Sequence, residues 1–297
     1  MADRINTLPA ILRDQFQIIH SRIPEELDDT KKKILVLHDL VGDPMYDSLR
    51  DGGWKRFDKL VFVSHWQKQQ FQDYLGVPPS ASVVIKNAID PIEEHKKDYD
   101  KIRLMYFSTP HRGLDLLYAA FNQLSKEFDT AEIGIELNVF SSFELYGWPE
   151  RDKQYLGLFD KLRGHKAINY HKSVSNERIR EELKRSHIFA YPSTWQETSC
   201  LCLIEAMSAG LHCVHSSLAA LPETSMSLTT MYEYNEDPTV HANTLYAYLR
   251  HIVSAMQTSN GRLSIQRGAE TQRQLTNQVY SWENRKNQWE MVLTNLL

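Results

Sequence analysis

The sequence predicts an α/β protein built on parallel sheets. Three observations carry this. Short β-branched or apolar runs alternate with longer segments whose apolar residues recur at helical spacing, a charged stretch at 91–101 interrupts the alternation once, and from about Val240 the strand signals stop. Strands alternating with helices are the mark of βαβ units, whose parallel sheets are covered on both faces.

The strand-like runs are Phe16–His20, Ile34–His38, Leu60–Ser64, Ser82–Ile85, Leu104–Phe107, Ile133–Phe140, Ala167–Tyr170, His187–Tyr191 and His212–His215. Leu114, Leu117, Tyr118 and Phe121 mark one intervening helix; Ile179 with Leu183, and the stretch Leu201–Met207, mark two more. Helical patterns at 240–257, 261–278 and 282–296 close the chain, the last carrying Trp282 and Trp289. The run Pro91 to Lys101 reads as a solvated linker between two βα series. The expected units are 1–96, 97–280 and a final helix at 281–297.

The 297 residues are 42% hydrophobic and 24% charged, an ordinary globular balance, and low Gly and Pro exclude fibrous or disordered readings. Lys+Arg 34 against Asp+Glu 38 leaves a net charge of −4, so no nucleic-acid partner is expected. No apolar stretch approaches the roughly 20 residues of a membrane span. Met1-Ala2-Asp3-Arg4 opens no signal peptide, and three cysteines form no disulfide framework, which together predict a cytoplasmic protein. No Cys/His spacing suits zinc, and neither a P-loop nor a dinucleotide fingerprint occurs, so no metal or cofactor is expected. Asp98-Tyr99-Asp100 falls in the charged run and reads as solvated rather than metal-binding.

Most of the chemistry lies between Ile188 and Gly210, which reads strand, loop, helix. Pro192 removes a ladder donor and ends the strand. Thr198–Ser199 are expected to cap the helix and Gly210 to close it. In open α/β sheets ligands bind beyond the carboxyl ends of strands, where this loop falls. The amides of Thr198, Ser199 and Cys200 would then offer an anion site at a helix N-terminus. Glu205 lies six residues past Ser199, about 9 Å along a helix axis, a span that suits a diphosphate at one end and its ribose at the other. A carboxylate accepts from two vicinal hydroxyls at once. Singly, each glutamate also reads as an ordinary loop or exposed helical acid. The pair Glu197 and Glu205, set within Pro-Ser…Glu…Glu-Ala-Met…Gly, is what points to a nucleotide.

This stretch resembles the donor-site signature of the retaining GT-B nucleotide-sugar glycosyltransferases, the family 4-like "glycosyl transferases group 1". Its members carry two glutamates separated by seven residues, the second followed by Ala-Met and a glycine, as Glu197, Glu205, Ala206-Met207 and Gly210 are here. The family commonly has Gly-Phe-Gly after the first glutamate, where this chain has Thr198-Ser199-Cys200. Leu104 to Asp115 looks like the family's first donor-domain strand, loop and helix. Arg112-Gly113 matches its second cationic position, whereas the first is Ser108 or Thr109. Asn169 to Ser175, with Tyr170 and His171, resembles the segment framing the base, and Leu218 to Glu223 its late loop, whose final glutamate is mostly structural.

The resemblance implies two Rossmann-like domains facing across a cleft, with the N-terminal, acceptor-side domain abbreviated and the closing helix crossing back to it. It further implies metal-independent sugar transfer from a nucleoside-diphosphate donor to a hydroxyl on a glycan, lipid-linked or other acceptor, with retention. Glu205 would bind the ribose and Glu197 the sugar. Arg112 would stabilise the departing diphosphate, and His38, at the end of a buried strand, would sit opposite the sugar. A homo-oligomer or a partner chain could complete the acceptor side. The alternative is a catalytically impaired sugar-nucleotide-binding or scaffold subunit. Cys200 as a helix-terminal nucleophile lacks an organised His or Asn partner, and a buried apolar role is expected instead.

Overall fold

The computed structural model describes residues 7–297; the opening Met1–Arg4 and the first residues of the expected 1–96 unit lie outside them. The first sheet contains β1 (Phe16–His20), β2 (Lys32–Leu37), β3 (Lys59–Phe62) and β4 (Ser82–Val84), parallel and in that order. Strand alternation sends Leu35, Leu37, Leu60 and Phe62 to one face, where they pack with Tyr46 and Phe71. Ile34, Val36 and Val61 face the other way, onto Trp289 and Leu293. Phe71 belongs to α2 (His65–Leu75), which follows the four-residue α1 (Ala10–Arg13). Trp289 and Leu293 belong to α10 (Trp282–Leu296), so the last helix of the chain covers one face of the first sheet.

The second sheet holds β5 (Lys101–Phe107), β6 (Gly134–Phe140), β7 (Ile168–Tyr170), β8 (Ile188–Tyr191), β9 (His212–Ser216) and β10 (Thr230–Tyr232), all parallel, in the order β10-β9-β8-β5-β6-β7. Chain progression reverses between β5 and β8, so the carboxyl ends of those two strands flank the crevice where ligands of doubly wound sheets bind. The helices of this part are α3 (Leu114–Glu127), α4 (Leu156–Arg163), α5 (Asn176–Arg185), α6 (Leu201–Ser208), α7 (Leu221–Ser225), α8 (Pro238–Met256) and α9 (Ser259–Val279). β10 has no counterpart among the sequence-derived strands. It is a three-residue edge strand with no alternation to reveal it.

The charged run 91–101 joins the two sheet units and is largely exposed, as its composition predicts, but three of its residues are anchored. Ile92 is buried, and its N–H donates to Ser208 Oγ at 2.9 Å. Lys97 Nζ donates to the carbonyls of Leu183 and Ser186, which end α5, and Tyr99 packs on His187 at 4.3 Å between ring centres. The last residue of the run begins β5. Carbonyls at a helix C-terminus need donors, and an ammonium is favoured there by the helix dipole. The chain passes between the sheets again at Tyr280–Ser281. The two passes lie side by side, Ile89 N–H donating to Tyr280 O at 3.0 Å.

Candidate functional site

Two loops build the site, one after β5 and one after β8. In the first, Gly113 takes φ +88°, and a Cβ there would lie 2.0 Å from Pro192 O. Only glycine lets the loops approach so closely. That contact sets Arg112 beside the second loop. Its guanidinium Nε lies 2.8 Å from Glu197 Oε1, and Nη1 donates to Thr109 Oγ1 at 2.9 Å and Ser108 Oγ at 3.4 Å. Tyr191, the last residue of β8, donates its hydroxyl to Glu197 Oε1 at 2.6 Å. Burial pulls the Arg112 pKa down, but the adjacent Glu197 charge outweighs it and leaves the pKa raised. Burial, reinforced by Glu197, pushes Tyr191 well up. The group remains a positive centre held by neutral and anionic oxygens.

The helix start differs from the one expected. α6 begins at Leu201, its N-cap is Cys200, and no side chain caps it. Thr198 and Ser199 belong to the loop. Thr198 Oγ1 donates to His38 O at 2.7 Å, and Ser199 O accepts from Thr224 Oγ1 at 2.6 Å. Cys200 has φ +63°, a left-handed conformation that disfavours a side chain. It occupies the place where the resembling family commonly carries Gly-Phe-Gly. Burial raises the Cys200 thiol well above its ordinary range, which does not favour a thiolate nucleophile. Gly210, at φ +64°, closes α6 with Gly210 N–H on Met207 O and Leu211 N–H on Ala206 O, the paired bonds of a Schellman motif.

The site residues line two adjoining hollows. The smaller, about 240 Å³, lies past the ends of β5, β6 and β7 and receives Ser108, Cys202 and Glu205. Burial raises the Glu205 carboxyl, and Arg180 at 4.0 Å lowers it in part. The larger, about 620 Å³, lies between the two sheets and receives His38, Arg112, Glu197 and Thr198. His38 follows β2, stacks on His20 at 6.0 Å, and is held below the usual imidazole range by burial. Thr109, Gly113, Ser199 and Cys200 stand behind these walls. A still larger hollow, about 760 Å³, lies near the amino ends of β8 and β9, with Gly210 on its wall.

Tyr170 and His171 line neither hollow. Tyr170 packs on Phe159 at 4.9 Å and donates to Ser141 O, while His171 stacks on Phe140 at 4.5 Å. The hollow is lined by the residues just beyond, Lys172, Ser173 and Val174, together with Ser141 and Ser142 after β6. The segment was legible in the sequence, but not which of its ends turns inward, because β7 stops at Tyr170. Tyr146, on the 3-10 turn Phe143–Tyr146, also reaches the Arg112 guanidinium; no sequence signal marked it.

Two facing parallel-sheet units with a cleft between them, and the ligand side at the carboxyl edge of the second, define the GT-B class of α/β proteins. Residues 86–226 match the family described as glycosyl transferases group 1. The chain carries this domain and is a glycosyltransferase, a transferase of the EC 2.4 class. Among solved structures it resembles a glycosyltransferase from Rickettsia africae ESF-5 (14% identity, TM-score 0.69, covering 99% of this chain and 80% of that one). It also resembles Anabaena HepE in complex with UDP-glucose (14%, 0.63, 89% and 72%). A third likeness is to sucrose-phosphate synthase from Thermosynechococcus elongatus (14%, 0.67, 90% and 68%). Comparison with the curated proteins returns no match. Among the described residues no helix is long and apolar enough to cross a membrane.

Proposed function

We propose that the chain transfers a sugar from a nucleoside-diphosphate donor to an acceptor hydroxyl, with retention. The observation that carries this is the junction of the two hollows at Arg112: a guanidinium beside Ser108 and Thr109, with Glu205 on one side and Glu197 on the other. In this reading the nucleoside occupies the smaller hollow with its ribose on Glu205. The diphosphate meets Arg112, whose charge serves in place of a metal ion, and the sugar projects past Glu197 toward His38. Charge grows on the diphosphate as the glycosidic bond breaks, and a cation already fixed in place stabilises that state without reorganising. Glu197 Oε1 is engaged by Arg112 and Tyr191, which supports an electrostatic role over a covalent one. The three cysteines are free thiols, in keeping with action in a reducing cytoplasm.

A thermal-shift screen with UDP-, GDP-, ADP- and CMP-sugars tests the reading, since a ligand bound to the native state alone raises the melting temperature. One nucleotide class should raise it, and Glu205→Ala should abolish the shift. No shift with any of the four, or an undiminished one in Glu205→Ala, removes the ribose site. Donor binding with neither hydrolysis nor transfer would favour the scaffold reading, for which the pairing of Arg112 with Glu197 is the supporting observation.

A further inference from the structure

The wall of the larger hollow opposite Arg112 is built by α2. Trp66, Gln70 and Tyr74 recur every four residues and all line the cavity, so one helix face is turned to it. From Trp66 to Tyr74 is about 12 Å along the axis, longer than a single sugar ring. Trp195 and Gln196 stand on the other wall. Tyr74 is 70% and Trp195 44% exposed. Large rings gathered around one cavity, rather than scattered over the surface, mark a ligand surface. Each offers an apolar face and a polar edge, which suits a pyranose, with its apolar C–H face and rim of hydroxyls. Between the rings lie amides and carboxylates, Gln70, Gln196, Asp39 and Asp43, that can accept from or donate to those hydroxyls.

Charge narrows the ligand further. The lining carries the carboxylates Asp39, Asp43 and Glu197 against one guanidinium, Arg112, which is already paired with Glu197. Burial holds His38 below the usual imidazole range, which disfavours its charged form. A phosphate-bearing acceptor would face net repulsion. An acyl chain would bury these polar groups without partners.

We infer that the acceptor taken by this cleft is an uncharged oligosaccharide, stacked on Trp66, Tyr74 and Trp195. The inference rests on the sugar-transfer reading above and names its acceptor class.

Saturation-transfer NMR on the full chain, with maltotetraose, cellotetraose, chitotetraose and farnesyl phosphate as probes, tests it. At least one tetrasaccharide should bind saturably, and roughly five- to tenfold more weakly to Trp195→Ala and to Tyr74→Ala, the loss of one ring contact. Both positions are exposed, and circular dichroism checks that the variants fold. The inference is overturned if no tetrasaccharide binds, if neither substitution weakens binding, or if farnesyl phosphate alone binds in a Trp195-dependent way. The nucleotide-sugar screen separates the two readings. Donor binding without tetrasaccharide binding overturns only the acceptor class, and tetrasaccharide binding without donor binding overturns the transfer reading.

Discussion

Arg112 and Glu197 stand 85 residues apart in the chain and are ion-paired, Nε to Oε1, at 2.8 Å. Each comes from the loop after a different strand, β5 or β8, and the pairing of those strands brings them together. The pair fixes the guanidinium before any ligand arrives, and it ties the fate of each group to the other.

Arg112→Ala should lower turnover by on the order of 10²–10³, the loss typical of one transition-state charge stabiliser. It should also cost about 1–3 kcal/mol of stability, because the buried Glu197 carboxylate loses its cation and keeps only the Tyr191 hydroxyl. In the double variant Arg112→Ala/Glu197→Gln, melting should recover while turnover does not. Recovery of both would assign the pair to folding alone. Donor-hydrolysis kinetics and calorimetry supply the readouts.

Gly113→Ala should be severe although it removes nothing. The new methyl would lie 2.0 Å from Pro192 O on a residue at φ +88°, so the two site loops must part. A stability loss of roughly 2–4 kcal/mol is expected from strain and forced displacement, with weaker donor binding. Wild-type urea unfolding in this variant would show that the loops separate freely.

Glu223 clasps the two sheet units. Its Oε2 accepts from the N–H groups of His65 and Trp66 at the start of α2, at 2.8 and 3.1 Å, and its Oε1 lies 3.0 Å from Lys86 Nζ. Burial alone would raise its pKa, but these donors and Lys86 outweigh burial and hold it below the usual carboxylate range. A depressed folded pKa stabilises above the unfolded value, about 4.3, and that contribution is lost as pH falls through the folded value. Glu223→Gln should therefore melt a few degrees lower at pH 7, at about 2–4 °C per kcal/mol. The gap should close below about pH 4. A gap that persists at pH 3 would mean the clasp does not depend on charge.

Lys97 gives a slope of the same sign in a higher pH window. Burial lowers its amine to about 7, against roughly 10.4 in the unfolded chain. Between these values the unfolded state binds more protons, so stability rises with pH across that window. Urea midpoints should climb from pH 7 to 10 more steeply in the wild type than in Lys97→Met. Parallel curves would place the titration elsewhere.

Much of the fold was legible because its signals are local. The first nine strands lie within a few residues of their expected positions, and the three closing helices within two, since each is announced by its own periodicity and end residues. The same holds for Gly210, whose role follows from its place just past a helical run. The capping expected at Thr198–Ser199 failed because Thr198 is drawn to His38 O and Ser199 to Thr224, partners no local rule reveals. The anchors of the 91–101 run escaped the sequence for a related reason. Its charges are composition, but Lys97 and Ile92 are held by α5 and α6, whose positions are tertiary.

The amino-acid order by itself determined the alternation of strands and helices and the two loops that carry Ser108 to Gly113 and Pro192 to Glu205. Side-chain period and turn chemistry are properties of neighbouring residues. Only the tertiary structure decided that β8 lies beside β5, that Arg112 meets Glu197, that Cys200 accepts a glycine-like backbone, and that Lys172 to Val174 rather than Tyr170 face the smaller hollow. Each of these depends on which distant segments share a sheet edge, a matter settled by the burial of apolar faces across the whole chain.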